Sequence, residues 1–531
     1  MKLTFFGAAR AVTGSCHCLD VGDKRILIDC GLQQGQDEID NGSFLFDAQE
    51  VDYVIVTHAH IDHSGRLPLL CKQGFRGRIV TTRLTEELLS IMLRDSAHIQ
   101  ESDAMWENQK GKRAGRAPVE PLYTVADVEP CLKLMEHHDY GQIFDLCEGV
   151  KVRFTDAGHL LGSAIAEVWV TEDGKTEKIV FSGDLGNKNQ PIIRDPQFVT
   201  EADYVVTEST YGDRLHAENE GSYVNELAEI MDSTFANGGN VVIPAFAVGR
   251  TQELLYFIRE IKEKGLVHSN PEFPVYVDSP LALEATQVFS GDLTGYVDEE
   301  ALMLALGGVK MLTFPGLHLC ESTDESRALN ADKTPKVIIS ASGMCDAGRI
   351  RHHLKHNLWR PECSIVFVGF QAKGSFGRRL LEGVKNVKLF GEEIAVQAKI
   401  VNFPGLSSHA DKNGLLAWIS AFSPRPKQVF VVHGDPAVAP VYAETLTQLG
   451  FAAHVPELGE IYDLTNNTLI AAGHTPERKP RPEAENPLFT ALVAAARHLM
   501  EVVERCKGAA NRDLRAFTLA IQELCDRYDI K

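Results

Sequence analysis

THAHIDHSG, residues 57–65, follows directly on the apolar run YVIV of residues 53–56. In an extended segment, residues two apart point to the same side, so His58 and His60 can chelate one ion. Asp62 and His63 then reach a second. Imidazole and carboxylate together suit zinc, and a hydrolytic site keeps one coordination position open for water. Four residues cannot saturate two ions. The chain offers more at comparable strand ends: His159 in DAGHLLGS, Asp184 in FSGDLG and His433 in VVHGD. Asp184, with two carboxylate oxygens, is the natural bridge between two Zn2+ ions, with a hydroxide between them as nucleophile. Asp29, in ILIDCG, is expected to fix a ligand imidazole. The other reading of the motif, a polar turn carrying surface histidines, leaves the recurrence of His and Asp at strand ends unexplained.

Outward from this motif, residues 1–210 alternate short β-branched runs with loops: KRILIDCG, DYVIVTHAH, GRIVTT, KVRFTDAGH, KIVFSGDLG and DYVVTEST. Apolar strands ending in His- or Asp-bearing loops are how α/β folds present chemistry at one sheet edge. Residues 211–387 begin again with a helical stretch, then NVVIPAF, a helix opened by Gly249-Arg250-Thr251-Gln252, and the strands VYVDSP, KVIISASG and SIVFVGF. They predict a second α/β unit with its own parallel sheet. KIVNFPG and QVFVVHGD return to the first pattern, so residues 388–470 are assigned to the first domain and 211–387 to an insertion. Residues 471–487 have a linker's composition, and 488–531 carry two amphipathic helices that leave open packing on the body or a homodimer contact.

At 531 residues and 44% hydrophobic composition the chain can bury more than one core. No membrane-spanning run or leader pattern is present, so a cytoplasmic location is expected. The net charge of −20 argues against coating nucleic acid through the overall field, so any RNA binding must be local. KGKRAGR (110–116) and RIRHHLKHNLWR (349–360) are the basic stretches that could supply it. The 11 cysteines are scattered without CxxC spacing, which fits free thiols in a reducing compartment rather than disulfides or a zinc ribbon.

ILIDCG, HAHIDH, DAGHLLGS and SGDLG, in this order, resemble the metallo-β-lactamase superfamily, whose fold is an αββα sandwich with the metals at one edge. TESTYG with Glu208, LSSHAD with His409 and VVHGD with His433 resemble the three signature motifs of its β-CASP branch of nucleic-acid hydrolases. PAFAVGRTQELL, VDSPLA, SGMCDAGR and GFQAKGSFGRRLLEG extend the likeness through the insertion, to about residue 468. LSSHAD departs from the usual FSAHAD but keeps the His. A His at the third motif accompanies RNA-acting members, whereas DNA-repair members carry Val, so His433 implies RNA. The likeness is to bacterial and archaeal ribonucleases similar to the endonuclease subunit of the pre-mRNA cleavage and polyadenylation complex.

The resemblance implies one zinc on His58, His60, His159 and Asp184, and another on Asp62, His63, Asp184 and His433. The expected activity is hydrolysis of RNA, mainly single-stranded and cut internally, leaving a 5′-phosphate and a 3′-hydroxyl. His409 is the candidate general acid, oriented and kept charged by Glu208. Phosphate contacts are expected from the insertion: Arg250 at a helix start, Ser342, Gly343 and Arg349 in SGMCDAGR, and Lys373 and Arg378 in KGSFGRR. A small-molecule hydrolase would share the metal ligands but has no evident need of Glu208, His409 and an insert of about 180 residues. A non-catalytic RNA-binding scaffold would be expected to have lost ligands, whereas all seven positions are filled.

Overall fold

The computed structural model describes residues 1–35, 38–216, 223–369, 371, 374–403, 407–475, 487–508 and 510–528. Two sheets face each other. Among the described residues, the first has eight strands, from Thr468–Ala471 at one edge through Lys2–Phe5, His17–Val21, Lys24–Ile28 and Tyr53–Ile55 to Met135–His137 at the other. The second has seven, from Ala453–His454 through Gln428–Val431, Tyr204–Thr207 and Lys175–Phe181 to Ile143–Cys147. Period-two alternation sorts the side chains. Ile26 and Ile28 enter the core shared with Phe154, Val168, Phe181 and Phe430 of the second sheet. Leu27, between them, points the other way, toward Leu67, Leu70 and Leu88 of the covering helices. The far face of the second sheet, with Val180, Val205 and Val431, is covered by Leu415, Trp418 and Tyr442. The result is an αββα sandwich.

Among the described residues a third sheet has six strands, in the order Leu317–Leu319, Val275–Val277, Val337–Ser340, Val241–Pro244, Ser364–Phe367 and Lys399–Asn402, all paired in parallel. Its central strands are apolar on both faces, as a sheet covered by helices on both sides requires. Lys399–Asn402 corrects one boundary. Assigned by sequence to the returning segment 388–470, this strand pairs instead with Ser364–Phe367 at the edge of the inserted sheet. Its side chains are half-exposed, as befits an edge, and its four residues carry no pattern that distinguishes the two sheets.

The chain divides into two compact units, Met1–Pro476 and Glu477–Lys531. His474 still donates its amide to the Leu458 carbonyl at 2.9 Å, so the start of the expected linker belongs to the body. Residues 476–486 of that linker lie outside the described residues. The second unit contains helices Pro487–Arg505 and Asn511–Tyr528. Among the described residues no helix is long and apolar enough to cross a membrane. All 11 cysteines are free thiols.

Candidate metal centre and active site

The loop after Tyr53–Ile55 turns at His60 into the short helix Ile61–Ser64. Ser15, just before His17–Val21, and the segment after Lys24–Ile28 pin it: the amides of Ser15, Cys30 and Leu32 bond the carbonyls of Asp62, His63 and Ile61 at 2.8, 2.8 and 2.9 Å. The approach is so close that a Cβ on Gly31 would sit 1.7 Å from the Asp62 carbonyl oxygen, which explains glycine there. His433 comes from the end of Gln428–Val431 with φ of 48°, a left-handed conformation that histidine rarely adopts, held by its amide's bond to Ala8.

The structure brings all seven ligand candidates together. His60 Nδ1 lies 3.1 Å from both His58 Nε2 and His159 Nε2, and Asp184 Oδ2 lies 3.5 and 3.6 Å from those two nitrogens. On the other side, His63 Nε2 is 3.1 Å from His433 Nε2, which is 3.6 Å from Asp62 Oδ2. Asp184 Oδ1 is 3.2 Å from His63 Nε2 and 3.5 Å from His433 Nε2. The two oxygens of Asp184 thus face different donor clusters. The edge of a tetrahedron with ligand bonds of 2.0–2.1 Å is roughly 3.3 Å, so both clusters have the spacing of a zinc-type coordination shell. Asp184 Oδ1 is buried without a well-directed hydrogen bond, a costly state that a cation would relieve. Burial drives His58 and His159 well below the ordinary imidazole range, so both are neutral, the form that ligates.

Asp29 takes no ligand position. Its carboxylate accepts from the Thr57 amide at 2.8 Å and contacts His63 Nδ1 at 2.7 Å, which aims Nε2 at the cluster. Asp29→Asn is expected to lower metal affinity by about 10–100-fold, measured by competition with a chelator. Sequence reading missed Thr57, whose hydroxyl is 3.1 Å from Asp29 Oδ1 and from His58 Nδ1. It also missed Thr210, whose hydroxyl is 3.2 Å from His433 Nδ1, and the Ser408 carbonyl, 3.2 Å from His159 Nδ1. Thr57 and Thr210 adjoin the motifs in sequence; nothing local links Ser408 to His159.

His409 lies beside this cluster, with Nδ1 at 3.3 Å from Glu208 Oε1 and 3.9 Å from Asp184 Oδ2. Glu208 is buried and also accepts from the amides of Leu185 at 2.6 Å and Thr210 at 3.3 Å, which fixes the carboxylate. Burial opposes charge on His409, but the carboxylate of Glu208, with Asp184 and Asp62 beyond, lifts it to about 9.

The expected phosphate contacts fare differently. Gly249, with φ of 84°, starts helix Arg250–Glu263 against Leu160, the neighbour of His159. The Arg250 guanidinium, however, is buried and contacts Glu253, and the amides of Gly249 and Thr251 are taken by Gln252 Oε1 and the Phe246 carbonyl. Arg349 is committed as well: it bonds Asp278 Oδ1 at 2.7 Å and the Cys320 and Glu321 carbonyls, while His353 Nε2 and the Ser326 hydroxyl meet Asp278 Oδ2 at 2.6 and 2.5 Å. Arg349 therefore neutralises a buried carboxylate. Arg349→Met is expected to cost about 3 kcal/mol of stability, read from the urea midpoint. The Ser342 hydroxyl is 3.4 Å from the Ala347 carbonyl, Gly343 lies against the half-exposed Phe246, and exposed Arg378 pairs with Glu382 at 2.8 Å. Lys373 lies outside the described residues.

Buried imidazoles sharing a carboxylate at the edge of an αββα sandwich define a metal-dependent hydrolase. Residues 9–233 match the metallo-beta-lactamase superfamily, 251–380 the Beta-Casp domain and 393–456 the Zn-dependent metallo-hydrolase RNA specificity domain. The chain belongs to the β-CASP branch of the metallo-β-lactamase superfamily. It is 37% identical to Ribonuclease TTHA0252 of Thermus thermophilus over 87% of this chain and 99% of that protein. Two proteins of Methanocaldococcus jannaschii are each 30% identical: Transcription termination factor FttA, over 85% of this chain and 69% of the relative, and RNase J-like protein, over 86% and 99%.

Proposed function

We propose that the protein is a zinc-dependent ribonuclease that hydrolyses single-stranded RNA internally, in RNA processing or decay. The observation that carries this reading is the His409–Glu208 pair set against Asp184, in a chain whose residues 393–456 match an RNA specificity domain. His58, His60, His159 and Asp184 would hold one zinc, and Asp62, His63, His433 and Asp184 the other. When bound, the ions would supply Lewis acidity at phosphorus and a water acidic enough to serve as nucleophile near neutral pH.

The residues' own part is proton transfer and alignment. Glu208 contacts Nδ1 of His409, which leaves Nε2 to present the proton to the departing 3′-oxygen. Because Glu208 raises His409 to about 9, the acid form persists through neutral pH, and cleavage is expected to fall only as pH rises past about 9. In Glu208→Gln the burial that disfavours the charged ring is offset only by the more distant Asp184 and Asp62. The alkaline limb of the rate profile then moves down toward or below the ordinary imidazole value of about 6.5, as a pH series of single-turnover rates would register.

The relatives named ribonuclease support RNA as the substrate, and those named transcription termination factor favour a nascent transcript as one such RNA. The free thiols support a cytoplasmic location, and the amphipathic helices after residue 486 support a homodimer through the tail. End-group analysis of the products tests the chemistry: 5′-phosphate and 3′-hydroxyl termini are expected, and 2′,3′-cyclic phosphates would contradict it.

A further inference from the structure

Helix Arg83–Arg113 begins beside the metal centre and ends far from it. At its start, the hydroxyls of Thr82 and Thr85 donate to the carbonyl of Gly162, three residues past His159, at 2.6 and 2.8 Å. The helix has 31 residues and so runs about 45 Å. Its first half is packed through Leu84, Leu88, Leu89 and Leu93, but beyond Ala97 the burial gives way. Met105 and Trp106 are 64% and 56% exposed.

The tip is ordered and basic. Past the helix end the chain folds back: Asn108 exchanges hydrogen bonds of 2.9 and 2.6 Å with the backbone of Val119, and the Arg116 amide bonds the Gly111 carbonyl at 2.9 Å. Lys110, Lys112, Arg113 and Arg116 cluster in this turn, no acidic residue occurs between Asn108 and Val119, and all four side chains are exposed. Among the described residues none of the four forms an ion pair. Lys110 Nζ lies 2.9 Å from the centroid of the Trp106 ring. A helix C-terminus favours cations on electrostatic grounds alone. That preference explains neither Arg116, beyond the helix, nor large apolar side chains left in water beside the charges.

We propose that this tip is a binding site for single-stranded RNA, an exosite that holds the substrate strand away from the metal centre. The reading rests on the proposed ribonuclease function. Cations without acidic partners, one of them seated on an exposed indole, combine the phosphate neutralisation and base stacking by which single strands are gripped without sequence preference. In a chain of net charge −20 a local cationic cluster is what a polyanion would select. Trp106 lies about 35 Å along the helix axis, the span of roughly ten nucleotides stacked at a 3.4 Å rise and of fewer in an extended strand. A strand must exceed that length to occupy both sites.

The test compares the zinc-loaded full chain with K110Q/K112Q/R113Q/R116Q and with Trp106→Ala, by fluorescence anisotropy on RNA oligomers of about 4 and 30 nucleotides across a salt series, beside cleavage assays. The wild type is expected to bind the longer RNA more tightly. The quadruple variant should lose at least tenfold of that affinity, and its log-affinity against log-salt slope should become shallower by about 3, four contacts at about 0.7 each. Trp106→Ala should weaken the longer RNA several-fold with the slope kept. Equal affinity and slope in wild type and quadruple variant would overturn the exosite while leaving the ribonuclease reading intact. Tip-dependent binding without cleavage would do the reverse. Sedimentation in which the variants lose self-association but bind RNA as before would reassign the tip to contact with a second copy and overturn the proposal.

Discussion

Asp184→Ala is expected to lower RNA cleavage by about 10⁴-fold or more, on the order of 5.5 kcal/mol in the barrier, and to lower metal content with it. One oxygen of Asp184 sits 3.5 and 3.6 Å from His58 and His159, and the other 3.2 and 3.5 Å from His63 and His433, so its carboxylate faces both clusters. Its removal also leaves imidazole nitrogens facing one another at 3.1 Å without a shared counter-charge. The measurement is single-turnover cleavage beside metal analysis of the same preparation. Retention of a tenth of the activity with full metal content would show that the carboxylate does not join the clusters.

His409→Ala is expected to cost about 10²–10⁴-fold in kcat, with KM and metal content little changed, since under the proposed mechanism the ring would donate a proton in the transition state without serving as a ligand. A merely structural role would slow every substrate alike. A phosphodiester with a p-nitrophenolate leaving group needs no proton on departure, so the variant should cleave it at close to the wild-type rate. An equal loss on both substrates would remove His409 from the acid's role and return it to packing beside Asp184.

The two residues differ in how far sequence alone reveals them. The seven ligand candidates are legible because His is scarce, 19 in 531 residues, and each candidate lies in a motif that follows an apolar strand, so the sheets carry them to one edge. Glu208 and His409 are legible only through the motifs that contain them. Their 3.3 Å contact joins residues 201 positions apart and has no local signature. Contacts of the same kind explain the phosphate candidates. A glycine-rich turn before a helix reads the same whether its amides are free or, as at Gly249, already bonded to Gln252. Arg349 looks available until Asp278, 71 residues earlier, is placed against it. The strand Lys399–Asn402 is another such case, because its four residues, two apolar between two polar, do not say which sheet edge will accept them. Periodicity decides which face a strand buries; partners distant in the chain decide what a polar side chain has left to offer.

The most direct measurement is a sequencing gel of 5′-labelled single-stranded RNA and matched DNA incubated with the zinc-loaded protein, beside Asp184→Ala and His409→Ala. The proposed ribonuclease function predicts internal cuts in the RNA, intact DNA, and no or greatly reduced cutting by both variants. Wild-type protein that carries zinc and leaves both polymers whole, or cuts DNA as readily as RNA, would contradict it.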